Sequence, residues 1–150
     1  MKEKYMKKAL EQAELAFSEG EVPVGAVIVK DGKIISCARN NREITGDATG
    51  HAEIIAIREA CQALGGWHLD GCELFVTLEP CPMCMGAIIN SRLSRVTFGA
   101  KDAKAGACGS VVDLCSYPLN HKPTVENGIL SDECSSLLSS FFIKRRDQRK

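Results

Sequence analysis

No stretch of this sequence stays apolar for the roughly 20 residues that a membrane-spanning helix needs. No linker rich in Pro, Gly or Ser divides it, and no internal repeat is found. The first absence excludes a helical membrane span. The second leaves one globular domain over residues 1–150, large enough to bury a core. Residues 1–8 carry Lys and Glu, with no apolar region and no small-residue cleavage site, so the expectation is a cytoplasmic chain. Net charge is also missing, with 19 Lys plus Arg against 19 Asp plus Glu. That balance argues against a general nucleic-acid coat. The basic residues gather at the ends, at Lys2, Lys4, Lys7 and Lys8 and at Lys144, Arg145, Arg146, Arg149 and Lys150. Such ends either stay solvated or meet phosphates locally.

Cysteine, by contrast, is plentiful. Eight is an even number that would suit a disulfide scaffold in a secreted chain. With no export signal and an adequate core, free thiols are expected instead. Most of Cys37, Cys61, Cys72, Cys108, Cys115 and Cys134 then pack as small apolar residues.

Hydrophobic periodicity places the elements. Met6, Ala9, Leu10, Ala13, Ala16 and Phe17 recur at helical spacing over about residues 3–19. Residues 23–29 and 33–36 read as strands around an Asp31-Gly32 hairpin turn. Residues 39–50 read as a loop, and 51–64 as a helix closed by Gly65-Gly66. A strand over 73–77, a helix over 82–90 with Pro82 in its first turn, and a strand over 95–98 follow. A short helix over 111–115, a fifth strand from Thr124 and a last helix capped by Ser131 complete the chain. A hairpin followed by alternating helix and strand predicts an α/β three-layer domain, a five-stranded mixed sheet between two helical layers.

Two short segments carry the chemistry. One is His51-Ala52-Glu53, and the other is Pro80-Cys81-Pro82-Met83-Cys84. Cys81 and Cys84 share one face at the start of a helix, where the dipole favours thiolates, the metal-binding form. His51 opens another helix. In an α/β sheet such helix starts gather at the carboxyl edge of the parallel strands. One imidazole and two thiolates supply three zinc ligands and leave a fourth position open, as a catalytic rather than structural site requires. No second C-x-x-C and no H-x-x-x-H is present to close the shell. Glu53 then suits a proton shuttle. Positions i and i+2 of a helix lie roughly 200° apart, so His51 and Glu53 share a pocket only if the helix begins right there. C-x-x-C alone equally suits a redox pair or two core thiols. H-x-E followed by P-C-x-x-C is the signature of zinc nucleobase deaminases, adenine deaminases among them.

Beyond these motifs the sequence resembles the bacterial tRNA-specific adenosine deaminases over nearly its whole length. The stretches that carry the likeness are VPVGAVIV (22–29), HAE (51–53), TLEPCPMCMGA (77–87), Ser91-Arg92, VTFGAKDAK (96–104) and LSDECSSLLSSFF (130–142). The resemblance implies a cytidine-deaminase-like fold and one Zn2+ per subunit on His51, Cys81 and Cys84, with Glu53 as catalytic acid–base. It implies conversion of the wobble adenosine of a tRNA anticodon loop to inosine, by a homodimer whose RNA site uses both subunits. It also assigns substrate contacts to Asn40, Asp102, Asn120, Phe142 and Arg145, with Phe141 and Arg146 beside them. On its own, Asn40 reads as a residue turning its own loop, and Asp102 and Asn120 as turn residues. Three positions depart from the family pattern: Met85 where Ala is common, and Ala48 and Gly50 where Pro and Ala are frequent. Two other readings share the motifs, a deaminase of a free base or nucleoside such as guanine or cytosine, and a non-catalytic zinc module that binds RNA or protein.

Overall fold

The computed structural model describes residues 2–149; Met1 and Lys150 lie outside them. Helix α1 (Lys2–Ser18) leads into a hairpin of β1 (Gly25–Lys30) and β2 (Lys33–Arg39). The one-turn α2 (Arg42–Thr45) and α3 (Ala52–Leu64) come next, then β3 (Cys72–Leu78), α4 (Pro82–Asn90) and β4 (Arg95–Ala100). A 3-10 turn (Leu114–Ser116), β5 (Thr124–Asn127) and α5 (Ser131–Gln148) end the chain. The sheet order is β2-β1-β3-β4-β5. β1 runs antiparallel to both β2 and β3, whereas β3, β4 and β5 are parallel. This is the mixed five-stranded α/β arrangement that the element order predicts.

Alternation along the strands explains the two helical layers. Ala26 and Ile28 of β1, with Leu74 and Val76 of β3, face α3 and α4 and pack with Ala52, Ala56, Ala60, Met85 and Ile88. Val27, Val29 and Phe75 point the other way, onto Met6 and Ala9 of α1 and Cys134 of α5. A period of two thus feeds two cores from one sheet. Helix α1 approaches β1 so closely that a Cβ on Gly25 would sit 1.9 Å from Ala9 O and 2.6 Å from Ala13 N. Gly25→Ala is therefore expected to cost about 2–3 kcal/mol of stability. A lower urea midpoint at unchanged slope would show this, and an unmoved midpoint would refute the close-packing argument.

The differences from the sequence reading are local. β2 continues to Arg39 because Ala38 and Arg39 still pair with Ala26 and Gly25. The expected 39–50 loop contains α2, whose amides are held by a distant side chain described below. The short helix expected over 111–115 is instead a 3-10 turn, capped where Asp113 Oδ1 accepts from Cys115 N. Ser131 is the first residue of α5 rather than its cap; Leu130 holds that position at φ 53° with no side-chain cap. The eight cysteines are free thiols, Cys72 and Cys134 buried but Cys37 exposed. No helix among the described residues is long and apolar enough to cross a membrane.

Candidate metal centre

His51 is the residue before α3, with extended backbone (φ −86°, ψ 147°), and the helix proper begins at Ala52. This resolves the geometry that spacing left open. Because His51 is not yet helical, its ring and the Glu53 carboxyl both turn into the same cleft. Cys81 holds the matching place before α4, also extended (φ −77°, ψ 173°), with Pro82 inside the first turn and Cys84 one turn on. Both helix starts lie at the carboxyl edge of the parallel strands, since Cys81 comes three residues after the end of β3.

His51 Nδ1 stands 3.7 Å from Cys81 Sγ and 3.5 Å from Cys84 Sγ. The three donor atoms all lie within 4.8 Å of one another, the one such grouping among the described residues. A tetrahedral ion with ordinary Zn–S and Zn–N bonds sets its N and S ligands about 3.6 Å apart. The spacing and the soft donor set therefore fit zinc, and His51 and Cys81 are also on the wall of the cleft. The crowded donors also polarise one another. A hydrogen bond with Cys84 and another with His51 bring the Cys81 thiol down to about 4, so it is a ready thiolate. Sharing that proton with Cys81, together with burial, pushes Cys84 up. The hydrogen bond to Cys81 raises His51.

Glu53 is 4% exposed. Burial pushes its carboxyl up to about 7, where an acid–base group exchanges protons most effectively near neutral pH. The cleft has a volume of about 210 Å³, and its walls include Val24, Asn40, Arg42, Leu78, Asp102 and Ala105. Two further buried carboxylates flank it. Glu21 is fully buried and accepts from Glu43 N (3.0 Å) and Ile44 N (2.7 Å), which fixes α2 behind Asn40. Glu79 is 2% exposed. Burial pushes its carboxyl up, but hydrogen bonds from Ser110, Asp102 and Cys108 outweigh that and hold it below the usual range. Sequence reasoning missed both acids, because their partners are amides more than 20 residues away.

The residues assigned by resemblance divide. Asn40 and Asp102 line the cleft with His51, Glu53 and Cys81. Asn40 Nδ2 donates to Val22 O and its Oδ1 accepts from Arg42 N, leaving one N–H and one lone pair. Asp102 Oδ1 accepts from Lys104 N and Ala105 N. Asn120 lies in a different groove, with Trp67, Arg92 and Leu119. Phe141 is buried edge-on to Phe17, whereas Phe142 is 46% exposed. Arg145 stacks over the Phe141 ring and lines a third groove, with Lys144 and Phe17.

A family model described as MafB19-like deaminase matches residues 1–149. The chain is 48% identical to a tRNA-specific adenosine deaminase of Bacillus subtilis, covering 99% of this chain and 92% of that protein. It is 51% identical to a tRNA-specific adenosine deaminase of Aquifex aeolicus, over 97% of each. A solved structure from work on A-to-I editing by tRNA:A34 deaminases at the wobble position of transfer RNA superposes with a TM-score of 0.87. That chain is 44% identical, and the match covers 89% of this chain and 98% of that one.

Proposed function

This chain belongs to the tRNA-specific adenosine deaminase family, and from that premise we propose that it hydrolyses the wobble adenosine of a tRNA anticodon to inosine and ammonia. The observation that carries the proposal is a buried carboxylate, Glu53, in one small cleft with a three-donor centre of zinc spacing. The non-catalytic module has no use for that carboxylate.

His51, Cys81 and Cys84 would hold the ion. A zinc ion there supplies Lewis acidity that makes a water easy to deprotonate near neutral pH. Glu53 does the proton work. It accepts a proton from the attacking water as the new C6–O bond forms, and delivers it to the adjacent ring nitrogen. It then carries the proton of the new C6 hydroxyl to the amine. The C6–N bond breaks, ammonia leaves and the C6 carbonyl of inosine remains. The small cleft takes only an extruded base, and a loop nucleotide is cheaper to extrude than a paired one. The free amide positions of Asn40 suit the edge of the purine.

The exposed Phe142 and the half-buried Arg145, on the last turns of α5, supply a stacking face and a phosphate contact. Arg145→Ala is expected to weaken stem-loop binding and to reduce the slope of log affinity against log salt by about 1. An unchanged slope in a salt titration would remove Arg145 from the RNA surface.

A cytoplasmic homodimer completes the proposal. Its support is the apolar surface at Trp67, Tyr117 and Leu119 beside Asn120, which a second copy would cover. Chromatography with light scattering tests the dimer. Sequencing of tRNA from cells with and without the protein tests the function. Inosine at a wobble position, lost on deletion, is expected; an identical tRNA pattern would reject it. A panel of free adenosine, guanine and cytidine separates the free-base reading, which would be favoured by rapid turnover of one of them with none on RNA.

A further inference from the structure

Building on that reading of the cleft, we propose that Glu79 is a positioning residue that pins the loop after β4 against the pocket and so sets where the extruded base sits. Its carboxylate stands where β3 ends and takes donors from both ends of the 101–110 segment. Oε1 accepts from Asp102 N at 3.0 Å and from the Ser110 hydroxyl. Oε2 accepts from Cys108 N at 2.9 Å and Ser110 N at 3.2 Å. Four hydrogen bonds occupy the four lone-pair sites of one carboxylate. No cation lies among these partners, so the group is held by oriented N–H and O–H dipoles.

The loop is built around this group. A Cβ on Gly106 would lie 2.4 Å from Glu79 Cδ and 2.6 Å from Asp102 O, so the chain closes over the carboxylate only with glycine there. Ala107 N donates to Pro80 O, which ties the same loop to the residue before Cys81. Asp102 and Ala105, on the pinned segment, line the cleft with Asn40, and Glu79 itself reaches the wall with its four lone-pair sites already taken by the loop. The zinc donors and Glu53 lie on other elements, α3 and α4 and the residues before them. Loosening the loop should therefore spoil the seating of the base more than the proton chemistry.

Glu79→Gln is the sharp test, because it preserves shape and removes acceptors. Placed at the Oε2 site, the Gln amide group would face two backbone N–H donors. Placed at the Oε1 site, it would face one, at Asp102, since the Ser110 hydroxyl can turn to accept. The second placement costs less, and it releases the amide of a residue on the pocket wall. With zinc content equal to wild type, Glu79→Gln is expected to lower kcat/KM on an anticodon stem-loop about tenfold or more, mostly through KM. Ser110→Ala, which keeps all three backbone bonds, is expected to stay near wild type. Native trypsin cleavage after the exposed Lys101 and Lys104 should accelerate in Glu79→Gln.

Wild-type KM and cleavage rate in the folded variant would overturn the proposal. So would a loss confined to kcat, or a Ser110→Ala defect as large as that of Glu79→Gln. Should Glu79→Gln fail to fold, Gly106→Ala crowds the same carboxylate and is expected to raise KM likewise; an unchanged KM there also overturns it. Should the wild type itself not act on the stem-loop, the function proposed above fails, and the trypsin comparison alone decides whether Glu79 pins the loop.

Discussion

Glu53→Gln is expected to leave the fold and one zinc per chain in place while deamination of an anticodon stem-loop falls about 10³-fold, within the range that a positioned acid–base group contributes. The physical reason lies in where the carboxyl stands. It is buried in the second position of α3, and burial brings it to about 7, so it can both take and give a proton near neutral pH. Gln has the same shape and can do neither. The loss should appear in single-turnover kcat with stem-loop affinity nearly unchanged, because the interaction removed is one made in the transition state. Retained turnover with retained zinc would show that some other group moves the proton.

Replacing a donor of the centre should act differently. Cys84→Ala is expected to weaken zinc binding by more than the roughly 10–100-fold seen on loss of an outer hydrogen-bond partner, because a ligand itself is gone. Metal should leave on dialysis and activity with it. The thermal midpoint should also fall and cease to respond to added zinc, since an ion bound only by the native state stabilises it by mass action. An ion held by these donors would join the start of α3 to the start of α4, so its loss would unfasten two helices from one edge of the sheet. Cys108→Ala is the matched control. That thiol touches Met85 Sδ and stands outside the three-donor grouping of His51, Cys81 and Cys84. Metal analysis by mass spectrometry checks both variants. A full complement of zinc in Cys84→Ala would refute the donor set.

The sequence yielded the parts of this protein that depend on short spacing. Two thiols three residues apart behind a proline, and an imidazole opening a second amphipathic run, sufficed to place the candidate donors at two helix starts. A short unbroken apolar run marked β1 as a buried strand, because Ala26, Val27, Ile28 and Val29 are covered on both faces, by two cores. What was not legible depends on contacts far apart in the chain. Whether Glu53 shares a cleft with His51 turned on the backbone of His51 itself, extended rather than helical. The short helix α2 forms where Asn40 Oδ1 takes the amide of Arg42 and the buried Glu21, some twenty residues back, takes the next two, a contact that local sequence does not advertise. Glu79 looks like an ordinary acid at a strand end, and its four donors lie 23 to 31 residues away. Leu130 takes a left-handed conformation just before α5, so the helix begins at Ser131 without the side-chain cap that a serine there suggests. Asn120 was placed with the substrate residues by resemblance. Within one chain it lies in another groove, with Trp67 and Leu119 rather than with His51 and Glu53.

The most direct test is a single-turnover reaction of the zinc-loaded protein with an anticodon stem-loop bearing adenosine at the wobble position, read as inosine at that nucleotide and as ammonia released. One inosine and one ammonia per stem-loop, with adenosines elsewhere in the loop untouched, is the expected result. A protein that holds its zinc and folds, yet leaves that adenosine intact, would contradict it.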